Sequence, residues 1–154
     1  MEMTRQQLYD LINRPGPLWL VRADLTDAHL EGAPLIGANL SRAILQGANL
    51  IAADLTQANL LSVNLSRATA TWASFYNANL QGANLQQADF TNANFEGSNL
   101  FEANCFQANF EGASLTGADL RGAILRDARI SEEQLSQAAA LEGATLPDGT
   151  KVRR

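Results

Sequence analysis

The chain carries one cysteine, Cys105, and one histidine, His29, in 154 residues. A single cysteine excludes an intramolecular disulfide framework and fits a reducing compartment. A single histidine with no second histidine or cysteine near it argues against a zinc ligand set and against a histidine-based general-base site. No apolar run approaches the roughly 20 residues of a membrane-spanning helix. Met1-Glu-Met-Thr-Arg-Gln lacks the basic-then-apolar plan of a secretory leader. Lys and Arg number 11 against 16 Asp and Glu, giving a net charge of −5 and a pI near 4.7. Direct binding to nucleic acid needs clustered cations, so it is not expected. The glycines do not form a phosphate loop either, because their spacing is regular along the chain rather than packed at one strand-to-helix turn. These absences lead to the expectation of a soluble, cytoplasmic, non-enzymatic protein with no cofactor, no metal and no membrane contact.

What is present is one five-residue phrase in 22 unbroken copies across residues 23–130, of which Ala78-Asn79-Leu80-Gln81-Gly82 is a clean example. The central residue is Leu in 15 copies, Phe in four (Phe75, Phe90, Phe95, Phe110), and otherwise Ala70, Cys105 or Ile130. Ala stands two places before the centre in 20 copies, with Val63 and Ser98 as the exceptions, and Asn or Asp stands one place before it in 14. On an α-helix a period of five carries successive centres round the whole cylinder. On a flat strand an odd period puts them on alternating faces. The pattern keeps one apolar interior only if the chain turns a corner every five residues in the same sense. Ala and the centre then point inward, the other three positions point outward, and the resulting coils stack so that backbone groups can pair. Eight glycines (32, 37, 47, 82, 97, 112, 117, 122) fall two after a centre, where a tight turn favours a residue without Cβ. Asn and Asp before the centre are expected to bond the turn backbone or to stack as ladders between coils. With four sides per coil, Asn39, Asn59, Asn79, Asn99 and Asp119 would form one such column.

Tandem A(N/D)LxG copies over 108 of 154 residues resemble the pentapeptide-repeat family. The resemblance implies an all-β solenoid: a right-handed quadrilateral β-helix of about five and a half coils, roughly 26 Å long at ~4.8 Å per coil. The closing Gly-Ala-Thr-Leu-Pro-Asp-Gly-Thr (143–150) is similar to the ending of cyanobacterial members.

The chain is expected to be a single domain with short helices at both ends, which would cover the open edges of the stack and leave a monomer. Thr4-Arg-Gln-Gln7 and Ser131-Glu-Glu-Gln134 each have capping-box spacing. Between the first helix and the repeats, Leu18-Trp-Leu-Val21 reads as an entry strand within a segment spanning 1–22. After Ile130 the phrase is expected to stop, with Gly143 closing the second helix and Leu146-Pro-Asp-Gly-Thr150 forming a turn or small hairpin in the 131–154 segment.

For function, the outward aromatic and apolar residues stand out against a surface of Gln, Thr, Ser and Gly. Trp72 and Tyr76, with Ile51 one coil below, are read as sharing one corner; Phe101 and Phe106, with Leu61 two coils below Phe101, are read as straddling the opposite one. Aromatic residues of this kind anchor protein interfaces, so the first expectation is a protein-binding scaffold. The two copies around Trp72 and Tyr76 are also the most irregular of the series, lacking Asn or Asp, a Leu centre and a final Gly. The second expectation uses charge: no Lys or Arg occurs between Arg67 and Arg121, a span containing Asp89, Glu96, Glu102, Glu111 and Asp119. Some members of the resembled family protect DNA gyrase by imitating a DNA duplex, which makes an acidic DNA mimic the alternative. His29, Asp24 and Asp27 are read as surface, and Cys105 as an inert buried thiol among Leu85 and Leu125.

Overall fold

The computed structural model describes residues 4–153, so the extreme ends of the 1–22 and 131–154 segments lie outside the described residues. Backbone bridges are parallel and link residues 20 apart from Trp19↔Asn39 to Asn109↔Arg129. A repeat of 20 is four pentapeptides, so each coil has four sides. Side one carries the bridging residues Trp19, Asn39, Asn59, Asn79, Asn99 and Asp119. Side two carries Asp24 to Ile124, side three His29 to Arg129, and side four Pro34 to Ser114.

The corners explain the phrase. The NH three places after each centre from Leu20 to Leu125 donates to the carbonyl of that centre, as in Ala83 to Leu80 at 3.0 Å. The residue two after each centre from Leu20 to Leu125 has positive φ, between 52° and 71°. A turn with positive φ only at its second inner residue is of type II. Glycine serves there at eight corners, and fourteen others use non-glycine residues in the left-handed region.

Three further NH groups per pentapeptide go to neighbouring coils: Leu80 donates to Asn99 O at 2.7 Å, Gly82 to Phe101 O at 2.9 Å, and Asn99 to Ala78 O at 2.9 Å. That leaves the NH just after each centre with no backbone acceptor. All 14 Asn and Asp side chains of the phrase supply one, each accepting from that NH through Oδ1 at 2.9–3.1 Å. Of the two roles expected for these residues, backbone bonding therefore holds throughout. A ladder bond between coils is seen from Asn99 Nδ2 to Asn79 Oδ1 at 3.3 Å.

Inside, the centres form four columns. Leu40, Leu60, Leu80, Leu100 and Leu120 fill side one and are fully buried. Sides three and four hold the phenylalanines: Phe75 stacks on Phe95 at 4.7 Å between centroids, Phe90 on Phe110 at 5.4 Å, and Phe75 meets Phe90 edge-on at 5.6 Å. These are favourable aromatic geometries, and the small Ala70 lies in the column below Phe90.

Both ends depart from the expectation. The stack starts one side earlier than Ala23, because Leu18-Trp-Leu-Val-Arg22 is itself a side, with Trp19 bridged to Asn39 and Arg22 at φ 58°. Helix α1 (Arg5–Ile12) has the capping box at Thr4 and Gln7, and its Leu8 joins the core. Helix α2 (Glu132–Gln137) has the capping box at Ser131 and Gln134. It occupies the place of one side, with Leu135 buried and Gln134 Nε2 donating to Phe110 O at 2.6 Å and Ala113 O at 2.9 Å.

The phrase does not end there. Ala139-Ala-Leu-Glu-Gly143 and Ala144-Thr-Leu-Pro-Asp148 are two more sides, bridged as Asp119↔Ala140 and Ile124↔Thr145. Gly143 is thus a corner residue at φ 78°, not the end of α2, which closes at Ala138. These bridges are 21 residues apart instead of 20, so α2 inserts one residue and shifts the register that the sequence pattern follows. The final turn does form a hairpin: Thr145 pairs antiparallel with Lys151, and Leu146 N donates to Thr150 O at 2.7 Å.

With Leu80 fully buried between Leu60 and Leu100, Leu80→Ala should lower unfolding free energy by about 2–5 kcal/mol. The neighbouring outward Gln81→Ala should stay within about 0.5 kcal/mol. Denaturant titration of the two variants checks the inward and outward assignment.

Candidate functional site

Function has to be sought outside the core, because the five-residue rule assigns two positions per side to packing and leaves three outward. Trp72 is 69% exposed and Tyr76 42% exposed. They occupy different corners, a correction to the one-corner reading: Trp72 sits in the turn between sides three and four, Tyr76 in the turn between sides four and one. The period is the reason, since residues four apart are separated by a whole side. They therefore flank side four, with Ser74 between them and Ile51, half-buried, in the coil below Thr71. Phe101 and Phe106 are likewise on successive corners and flank side two, on the opposite wall of the rod. Both are half-buried, as is Leu61.

Phe101 already has a partner. The Arg121 guanidinium lies 5.5 Å from its ring centroid, and Asp119 holds that guanidinium at 2.7 Å. The side-chain hydrogen bond from Arg121 keeps the Asp119 carboxyl below its ordinary range.

The acidic residues do not gather on one face. Glu102 and Asp119 are at side one and its corner, Asp89 and Glu111 at side three and its corner, and Glu96 at the corner after side four.

Trp72 is unusual in its backbone as well as its exposure. At φ 61° it is the only aromatic residue among the fourteen non-glycine left-handed corners, a conformation that costs a bulky residue energy. Next to it, Ser74 Oγ accepts from Tyr76 N at only 3.4 Å, a weaker closure than the Asn and Asp corners have.

Five exposed apolar residues, Tyr9, Trp19, Ile36, Ile44 and Ile124, are not among the candidates drawn from the sequence. Trp19, 77% exposed on side one, lies in the stretch expected as an entry strand, and the in-phase Leu18-x-Leu20 is the signal that it is an outward repeat position. Ile36, also exposed, stands two coils below Tyr76 in the same corner column.

Cys105 is fully buried, and desolvation pushes its thiol up to about 12, which leaves it inert. His29 Nε2 lies 3.1 Å from Arg5 Nη2, tying α1 to side three.

Comparison with known proteins decides the family. The model of pentapeptide repeats matches in eight copies over residues 23–60, 43–82, 71–104 and 103–138. The chain belongs to the pentapeptide-repeat family. Its fold is accordingly the right-handed quadrilateral β-helix. Among solved structures, alr5209, a pentapeptide-repeat protein from Nostoc Pcc 7120, is 31% identical over 65% of this chain and 82% of its own, with a TM-score of 0.57. Rfr23 from the cyanobacterium Cyanothece 51142 is 37% identical over 66% of this chain and 64% of its own, with a TM-score of 0.51. A trypsin-treated variant of QnrB1, a plasmid-mediated fluoroquinolone resistance protein, has a TM-score of 0.66 at 19% identity over 89% of this chain and 78% of its own, a likeness of fold alone. No curated protein sequence matches the chain.

Because Trp72 buries little and its backbone favours glycine, Trp72→Gly should leave stability unchanged or raise it by up to about 1 kcal/mol. A thermal unfolding comparison with wild type checks this. A clear drop in midpoint would mean that the indole holds the corner together.

Proposed function

We propose that this pentapeptide-repeat protein is a non-enzymatic scaffold that binds another protein through side four, with Trp72 and Tyr76 as its anchors. The observation that carries this reading is the pair of exposed aromatics flanking one side, one of them held in a left-handed backbone where the fold would be better served by glycine. Energy spent on an exposed side chain is a mark of a site rather than of packing. The half-buried Ile51 and the exposed Ile36 lie at corners of the same wall, with Thr56 between Ile36 and Tyr76, and apolar exposure on one wall is a feature of interaction sites. On the same proposal α1 covers the lower end of the stack and α2 with the closing hairpin the upper end, the stack is about six and a half coils long at ~4.8 Å per coil, and the protein acts as a monomer.

The alternative, an acidic mimic of DNA acting on a DNA-binding protein such as gyrase, draws on the fold likeness to QnrB1. It has less support. Duplex DNA presents its charge evenly, one per ~1.7 Å, whereas here the acids fall on separate walls and Asp119 is neutralised by Arg121.

Partner capture from the source cell tests the proposal, with bait whose mass by light scattering is that of one chain. Trp72→Ala with Tyr76→Ala should reduce capture at least about tenfold, or ~1.4 kcal/mol, with thermal stability nearly unchanged. Normal capture by the double variant overturns the site, and loss of capture only when Glu102, Glu111 and Asp89 are neutralised would favour the mimic.

A further inference from the structure

The distribution of cations around the rod is uneven in a way that the net charge conceals. Arg22, Arg42 and Arg121 lie at the corner between sides one and two, Arg67 and Arg126 at the corner between sides two and three, and Arg129 on side three. Side four and its two corners, residues 31–37, 51–57, 71–77, 91–97 and 111–117, contain no Lys or Arg at all. They contain four acids, Glu31, Asp54, Glu96 and Glu111; Glu31 shares a surface cleft with Arg5 of α1, and Glu111 shares one with Arg129 of side three. The two exposed aromatics of the repeats beyond the first coil, Trp72 and Tyr76, are at the middle of this cation-free wall.

The chain shows on another wall how it treats an outward aromatic when it supplies the partner itself. One coil above Phe101 stands Arg121, whose guanidinium covers the ring and is held by Asp119. One coil above Tyr76, at the same position of the repeat, stands Glu96 instead; one coil above Trp72 stands Asn92. On side four the acid is present and the cation is missing.

Resting on the reading of side four as a docking face, we propose that its occupant is a cationic polypeptide segment, whose Lys or Arg heads lie over the Trp72 and Tyr76 rings while Asp54 and Glu96 match their charge. A cation over an indole or phenol face is attracted by the ring quadrupole, and more strongly when water is displaced. Arg is favoured over Lys because its planar guanidinium stacks and can also pair with a carboxylate in the manner of Arg121. The wall is a flat sheet face about one pentapeptide wide, so the segment lies along the rod and meets successive coils at ~4.8 Å steps.

The probe is octa-arginine, with octa-glutamate as control, titrated calorimetrically into the full chain and followed in parallel by tryptophan emission in a Trp19→Phe background, which leaves Trp72 as the only tryptophan. Octa-arginine should perturb the Trp72 emission and octa-glutamate should not. Trp72→Ala with Tyr76→Ala, and separately Asp54→Asn with Glu96→Lys, should each weaken octa-arginine at least tenfold. Asp54→Asn keeps the side-chain oxygen that accepts from Thr56 N, so the corner survives. Glu102→Lys, at the corner after side one, should change affinity less than threefold.

If octa-arginine binds but neither side-four pair weakens it, or if Glu102→Lys weakens it as much, the cations sit elsewhere and the inference is wrong. If cellular capture depends on Trp72 and Tyr76 yet is indifferent to Asp54→Asn with Glu96→Lys, the docking face stands and its occupant is not cationic. If capture ignores the aromatics as well, both readings fall.

Discussion

One amide group per pentapeptide governs this structure. Of the five backbone NH groups in a side, one closes the corner and three pair with adjoining coils, which leaves the NH after the centre without a backbone acceptor. A polar group that turns away from both water and partners is costly, and the side chain two places earlier is the one positioned to receive it. That is why Asn or Asp recurs before the centre, and why either serves, since only one oxygen is used. Two of the prolines stand where a backbone NH would be hard to satisfy. Pro147 stands at the position of the problematic NH and removes it, and the residue two before it is Thr145, with no carboxamide needed. Pro34 stands at a bridging position in the lowest coil, where its NH would have pointed below the stack to no partner.

The solved corner fixes everything inward of it. Once the backbone is determined by local bonds, the core needs only residues that fit: Leu in columns, four phenylalanines that alternate stacked and edge-on contacts, a cysteine where one leucine is missing. The same rigidity frees the outward positions, since stability is set by corner and core. Variation there can follow function, and the surface is best read by column. Seen so, Arg121 over Phe101 and the cation-free wall around Trp72 and Tyr76 become comparable features of two walls, although neither is visible along the sequence.

Much of this was legible from the residues. The five-residue period, with its Ala and Leu inward, requires a corner every five residues, and the expected columns of Asn39 to Asp119 coincide with observed bridges. The failures share a cause. Leu18 to Arg22 lacks Ala and Asn, so its composition suggests a strand leading into the repeats although it folds as a side like the rest. At the other end, one residue added with α2 moved Leu141 and Leu146 off the five-residue grid, hiding two sides whose composition, Ala-Ala-Leu-Glu-Gly and Ala-Thr-Leu-Pro-Asp, was in plain view. The placing of Trp72 and Tyr76 on one corner neglected that four residues span a side. Which wall lacks cations could be found only by winding the sequence at 20 residues per coil.

Gln86 and Gln87 offer the most direct test of the corner, because they are the same residue type at its two inner positions. Gln86 N donates to Asn84 Oδ1 at 3.1 Å, while Gln87 has φ 60° and donates to Phe106 O at 2.9 Å. Proline suits the first inner position of a type II turn and is excluded from the second, where φ is positive. Equilibrium unfolding of Gln86→Pro, Gln87→Pro and Gln87→Gly would decide the matter, the glycine variant correcting for lost side-chain contacts with Arg67 and Gln107. The account predicts a loss of about 1 kcal/mol for Gln86→Pro, one hydrogen bond, and of about 3 kcal/mol or more for Gln87→Pro, with Gln87→Gly close to wild type. Equal losses for the two proline variants, or a greater loss at Gln86, would contradict it.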